Sequence, residues 1–314
     1  MMTRLMLSLA IVLMLGRSTV ATAQRQPIPR DTNITHVLYL ADGSTLVGKL
    51  LSRDSTMVQF QTNGGLFSVP VSRVKEIREV RPADVKGDEY WFPDANETRL
   101  FFAPTGRMLK KGEGYYSNTY LLLQNFVGGV SDAFTLGGGF SIVPSDDFFN
   151  QNIYYVTPKV GLYNRPKTNV AVGALVGLSP GLSDWDSRGE SFGILYGVAT
   201  RGGPDASMTA GVGYGFHNGD FQDLPLFMLG GAVRSSRRVS LVTENYLTWT
   251  KQGNYTYCPA YPCPPPTYSH NAEGVLSYGL RFMGEKLSTD FALWNATSEF
   301  IFPGIPYIAF AVKF

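Results

Sequence analysis

The stretch Tyr307-Ile308-Ala309-Phe310-Ala311-Val312-Lys313-Phe314 alternates without a break. Successive side chains of an extended strand point to opposite sides. Ile308, Phe310, Val312 and Phe314 therefore share one face, and Tyr307, Ala309, Ala311 and Lys313 share the other. The same pattern recurs upstream in segments of about ten residues, the length a tilted strand needs to cross a bilayer. Over 168–177, Val170, Val172, Ala174 and Val176 oppose Asn169, Ala171, Gly173 and Gly177. Over 191–201, Phe192, Ile194, Tyr196 and Val198 oppose Ser191, Gly193, Gly197 and Arg201. Met208, Val212, Tyr214 and Phe216 oppose Thr209, Gly211, Gly213 and Gly215, and Leu276, Tyr278, Leu280 and Phe282 oppose Glu273, Ser277 and Arg281. The second face is mostly Gly, Ala, Ser and Thr, not the charged face that water solvates in a soluble sandwich. Small residues there predict a narrow, crowded interior.

Composition narrows the class. Of 314 residues, 17% are charged and 13% aromatic, with 34 Gly, 17 Tyr and a net charge of +2. So little charge beside so many aromatics excludes a disordered chain, and the glycines argue against a helical bundle. The near-neutral balance gives no reason to expect nucleic acid as a partner. No apolar run reaches the roughly 18 residues of a membrane helix, and a spanning protein without helices must be a closed barrel.

The segmentation predicts about twelve strands, near 98–106, 115–128, 133–143, 152–163, 168–178, 190–201, 206–217, 224–234, 238–250, 272–283, 286–296 and 305–314. Short connections (131–132, 164–167, 202–205, 235–237, 284–285) alternate with longer ones (107–114, 144–151, 179–189, 218–223, 251–271, 297–304). Short turns on the periplasmic side, long loops outside and an even strand count are the arrangement of outer-membrane barrels. Residues 98–314 resemble that class, and the 305–314 segment resembles its closing strand, which ends in Phe after alternating hydrophobic residues. The resemblance implies that Ile308, Phe310, Val312 and Phe314 are read by the barrel assembly machinery, with outer-membrane lipid as the surrounding partner.

Arg4, the apolar run from Leu5 to Leu15 and Ala21-Thr22-Ala23 before Gln24 have the layout of a cleaved signal peptide over 1–23. Residues 35–80 form a separate, turn-rich unit. His36–Leu40 leads into Asp42-Gly43, Gly48 lies within a second apolar run, and Asn63-Gly64 precedes Leu66–Pro70 and Val71–Ile77. This order resembles small SH3-like or Sm-like barrels. In an exported chain it is expected to pack or to dock a periplasmic partner. Residues 81–97, with Pro82 and Pro93, read as a polar linker. The two cysteines, Cys258 and Cys263, have four residues between them in a Cys, Pro, Ala, Tyr, Pro, Cys order, which in an exported loop reads as a local disulfide and not a metal site.

The interior carries the functional question. By period, Lys159, Arg201, Glu244, Glu273, Arg281, Asp290 and Lys313 face the lumen, and His217 does so near the outer rim. Charges of both signs can line a pore or lock a plug. His217-Asn218-Gly219 faintly resembles the His and Ser of outer-membrane phospholipases and lipid A deacylases, but position 219 is Gly, and acyl hydrolysis needs a nucleophile beside its base. The sequence therefore predicts a non-enzymatic barrel without cofactor or metal. A small-solute channel is the first reading; a closed structural or adhesive barrel is the alternative, and a lipid hydrolase the third.

Overall fold

Period-two alternation over most of the chain leaves each strand one side to bury and one to turn outward, and the chain closes on itself to do both. The computed structural model describes residues 34–181, 189–254 and 267–314. It separates into two compact units, Met1–Tyr90 and Trp91–Phe314.

In the first unit five antiparallel strands, β1 (Thr35–Leu40), β2 (Thr45–Arg53), β3 (Met57–Thr62), β4 (Gly65–Pro70) and β5 (Val74–Val80), stand in the order β4-β3-β2-β1-β5. Leu38, Val58, Phe60 and Val69 form its core. The β1–β2 turn is set by Gly43, at φ +86°, and by Asp42, whose Oδ1 accepts from the N–H and hydroxyl of Ser44 at 2.9 and 2.6 Å. A side chain that bonds its own backbone two residues on favours such a turn.

The second unit is a twelve-strand barrel: β6 (Gly114–Thr119), β7 (Leu123–Ser131), β8 (Phe134–Ser141), β9 (Tyr154–Arg165), β10 (Thr168–Ser179), β11 (Glu190–Gly202), β12 (Ala206–His217), β13 (Leu226–Ser236), β14 (Val239–Asn254), β15 (Thr267–Met283), β16 (Leu287–Ala296) and β17 (Ile305–Lys313). Each strand pairs antiparallel with the next, and β17 pairs with β6 through registers such as Ala311↔Ser117, so no edge is left open. Phe314 and Gly114 exchange backbone hydrogen bonds at the base of that seam, and the Phe314 ring fills the space a Cβ on Gly114 would need. Ile308, Phe310, Val312 and Phe314 are on the outer face, while Tyr307, Ala309 and Ala311 are buried inside.

Twelve strands are present, but not the expected first two. The 115–128 segment is a hairpin of two strands, β6 and β7, turned at Tyr120 and Leu121, which both have positive φ. The 98–106 segment is not in the wall. It lies inside the barrel, and 107–114, expected as an outer loop, runs along the short-turn end, where Lys111 N donates to Asp132 Oδ1 and Gly112 N to Gly129 O.

Candidate functional site

The segment from Phe92 to Gly112 enters the lumen at the short-turn end. Residues 98–105 fold there as a tight hairpin: Leu100 N donates to Ala103 O and Thr105 N to Thr98 O, both at 2.9 Å. Its tip packs as core. Leu100, Phe101 and Ala103 are buried against Ala171, Val198, Met228, Val242, Ala292 and Tyr307 of the wall. The Phe101 ring lies 5.6 Å from Tyr307 and 6.4 Å from Trp294, and Tyr246 stacks on Trp294 at 6.2 Å. Glycines admit the segment. A Cβ on Gly106 would sit 2.3 Å from Asn169 O, and one on Gly129 2.1 Å from Lys110 O.

Irregular backbone at membrane depth must find polar partners within the protein, because no sheet or helix satisfies it. The inward charges supply them. Glu244, fully buried, accepts from Phe102 N at 2.9 Å and Ala103 N at 3.0 Å through Oε2, and Tyr246 donates to its Oε1 at 2.6 Å. Lys159 donates from Nζ to Arg107 O at 2.7 Å, Thr105 O at 3.3 Å and Thr98 O at 3.4 Å. Arg281, 1% exposed, holds Asp290 of the neighbouring strand through two contacts at 2.7 and 3.1 Å, and Asp94 of the inner segment at 2.9 Å. It also donates to the carbonyls of Asn96, Arg99 and Leu100. Arg234 donates to Phe92 O at 2.8 Å, Tyr307 to Phe101 O at 3.0 Å, and Thr200 Oγ1 accepts from Gly106 N at 2.8 Å. Cations thus go to carbonyls and the carboxylate to N–H groups. The lumen chemistry is that of a plug held by its main chain.

The structure therefore brings together Lys159, Glu244, Arg281 and Asp290. The other expected lumen residues stand apart. Lys313 is at the base, 3.2 Å from Glu113. Glu273 is exposed on the outer extension of β15 and accepts from Thr250 at 2.9 Å. His217 is exposed at the outer rim, 3.3 Å from Glu190.

Arg201 is a correction: it is exposed on the outside of β11, because its neighbour Thr200 is the residue buried against the plug. The β11 faces are inverted relative to the expectation. Phe192, Ile194 and Tyr196 point inward into space left by Gly177, Gly213 and Gly173, where added Cβ atoms would come within 2.4, 2.7 and 2.5 Å of them. Leu195 turns outward. Cys258, Cys263 and residues 1–23 lie outside the described residues. Sequence reading missed Asp94, Asn96, Arg99, Gly106, Arg107 and Arg234. The available signal was Pro104, since a proline does not belong in a central strand, together with the failing alternation of 98–106.

The fold is a closed, antiparallel, up-and-down β-barrel. Similar solved structures are the outer-membrane protein OmpT of Vibrio cholerae as expressed in the outer membrane, at 11% identity and a TM-score of 0.35 over 92% of this chain and 100% of that one. An in-vitro folded trimer form of OmpT has 8% identity and a TM-score of 0.35, over 90% and 96%. No protein-family model matches this chain, and no curated protein matches it in sequence.

Proposed function

We propose that this protein is a closed outer-membrane barrel that anchors its β1–β5 domain at the membrane, with residues 94–107 as a built-in plug. This is the closed structural alternative and not the small-solute channel. The observation that carries it is Arg281, which joins wall and plug through Asp290, Asp94 and three plug carbonyls while almost entirely buried. The plug emerges at the short-turn end through Phe92, which supports a periplasmic location for the β1–β5 domain. There the domain would serve as a docking module for a periplasmic partner. The order β4-β3-β2-β1-β5, with a 3-10 turn at Val71–Arg73 before the last strand, supports the small-barrel reading of that module.

Ion flux through proteoliposomes tests the proposal. The intact protein is expected to give no steady conductance, and replacement of residues 94–107 by a Gly-Ser linker of equal length is expected to open the lumen. Steady conductance of the intact protein would restore the small-solute channel. Release of fatty acid from phospholipid by the intact protein, lost on His217→Ala, would instead support the hydrolase.

A further inference from the structure

The wall is uneven in height. Around one arc β16, β17, β6, β7 and β8 have ten, nine, six, nine and eight residues, whereas β14 and β15 have sixteen and seventeen. Six residues at about 3.4 Å each, tilted by about 40°, rise roughly 15 Å, well short of the roughly 25 Å apolar band of such barrels.

Three connections finish that arc at its outer end: the 120–122 turn and the loops 142–153 and 297–304. Each carries exposed apolar side chains, among them Leu121 (74% exposed), Phe149 (74%) and Phe302 (85%), with Leu122, Phe300 and Ile301 beside them.

Each also has its main chain tied down by a buried asparagine. Asn118 Oδ1 accepts from Leu121 N at 2.8 Å, and Gln124, itself bonded to Asn118, donates to Leu121 O at 3.0 Å. Leu122 N donates to Thr119 O, and its carbonyl accepts from Ile142 N. Asn152 Oδ1 accepts from Val143 N at 2.6 Å, and its Nδ2 donates to Phe148 O at 2.8 Å. Asn295 Oδ1 accepts from Ile301 N at 3.1 Å, and its Nδ2 donates to Pro303 O at 3.3 Å. Tyr278, an outward residue of β15, donates to the same Pro303 carbonyl at 2.8 Å, so the 297–304 loop is folded down against the outside of the wall.

A loop in water has no need to bury an amide for each turn, because water satisfies its main chain. Main chain that lies against hydrocarbon must instead find its partners within the protein. We propose that this arc of the outer rim is immersed in the outer leaflet, with lipid acyl chains covering Leu121, Phe149 and Phe302 and the exposed carboxylates of the same loops, Asp146, Asp147 and Glu299, turned to the head-group layer. The three loops there complete the apolar band that the short strands leave unfinished.

The test places an environment-sensitive fluorophore at single cysteines, Leu121→Cys, Phe149→Cys or Phe302→Cys, in the full chain carrying Cys258→Ser and Cys263→Ser. Asp223→Cys, whose side chain is 84% exposed on another outer loop, is the aqueous control. Each variant is refolded into phosphatidylethanolamine–phosphatidylglycerol vesicles, and heat-modifiable migration selects folded protein. The three arc labels are expected to be blue-shifted, quenched several-fold more by nitroxide on the acyl chain than the label at 223, and several-fold less by external iodide. Iodide quenching equal to that at 223 would put the rim in water and overturn the proposal. Resistance to both quenchers that disappears on dilution into excess lipid would assign the surface to a second copy of the chain and overturn it as well.

Discussion

Arg281→Ala separates a plug from a wall that happens to contain charges. The substitution removes a cation that is 1% exposed and leaves Asp290, equally buried, with the Arg99 Nη2 contact at 4.0 Å as its remaining ion-pair partner. Asp94 and the carbonyls of Asn96, Arg99 and Leu100 lose their shared donor. Removing one partner of a buried pair costs about 3–5 kcal/mol, because the other charge stays in place uncompensated. At about 1.4 kcal/mol per tenfold, release of the plug could recover part of that penalty by rehydrating Asp94 and the freed carbonyls. The population of the unplugged barrel should then rise by up to roughly two to three and a half orders of magnitude. Single-channel recording reads this directly: a silent wild type, brief openings in Arg281→Ala, and a permanently open 94–107 replacement. If Arg281→Ala stays silent while the thermal stability of the barrel falls equally with and without the plug, the Arg281–Asp290 pair braces the wall and the latch reasoning fails.

Three further outcomes can be measured. In the barrel lacking 94–107, Lys159→Ser should shift the reversal potential toward cation preference, whereas Arg201→Ser, on the outer face, should leave it unchanged; equal shifts would return Arg201 to the lumen. Cys258 and Cys263 should resist a membrane-impermeant thiol reagent on intact cells until reduced, and labelling only after lysis would invert the topology. Asp42 is held at a pKa of about 2 by the Ser44 hydroxyl, the Ser44 N–H and the Arg73 guanidinium. Its folded value is depressed below the ordinary value near 3.9, so its contribution to the β1–β5 domain is complete above that value and fades as pH falls toward about 2. Asp42→Asn should flatten the pH dependence of the domain's melting between those limits, and an unchanged slope would dissociate the turn from acid unfolding.

What the sequence disclosed depended on whether a strand's two faces differ by kind or only by size. In β10, Val170, Val172 and Val176 against Asn169, Ala171 and Gly173 have one reading, and around Arg281 and Asp290, both buried, the exposed Leu280, Phe282 and Phe291 make the two faces differ in kind. In β11 the aromatic face is the inner one. Its fit depends on glycines of β10 and β12 opposite Tyr196, Phe192 and Ile194, which only the strand pairing brings together. Residues 98–106 misled for the complementary reason. Leu100-Phe101-Phe102-Ala103 is apolar because it fills the lumen core, and an apolar run cannot say which core it fills. Lumen charge was legible as charge, but its partners were not, since they are main-chain groups of a segment far away in sequence.

That last point can be tested at Glu244. If its role is to satisfy plug N–H groups, the effect of substitution should follow the count of partners left unmet and not side-chain volume. Glu244→Gln keeps one acceptor oxygen for three donors, the N–H groups of Phe102 and Ala103 and the Tyr246 hydroxyl. Glu244→Leu keeps none, though it fills much of the same space. With about 1–3 kcal/mol for each buried donor left without a partner, the leucine variant should release the plug far more readily than the glutamine variant. The expected order of open probability is wild type, then Gln, then Leu. A leucine variant as silent as the wild type would mean that packing of Leu100 and Phe101 holds the plug unaided. The buried carboxylate would then be a cost that the barrel tolerates, in line with hydrophobic replacements of buried ion pairs that leave stability intact.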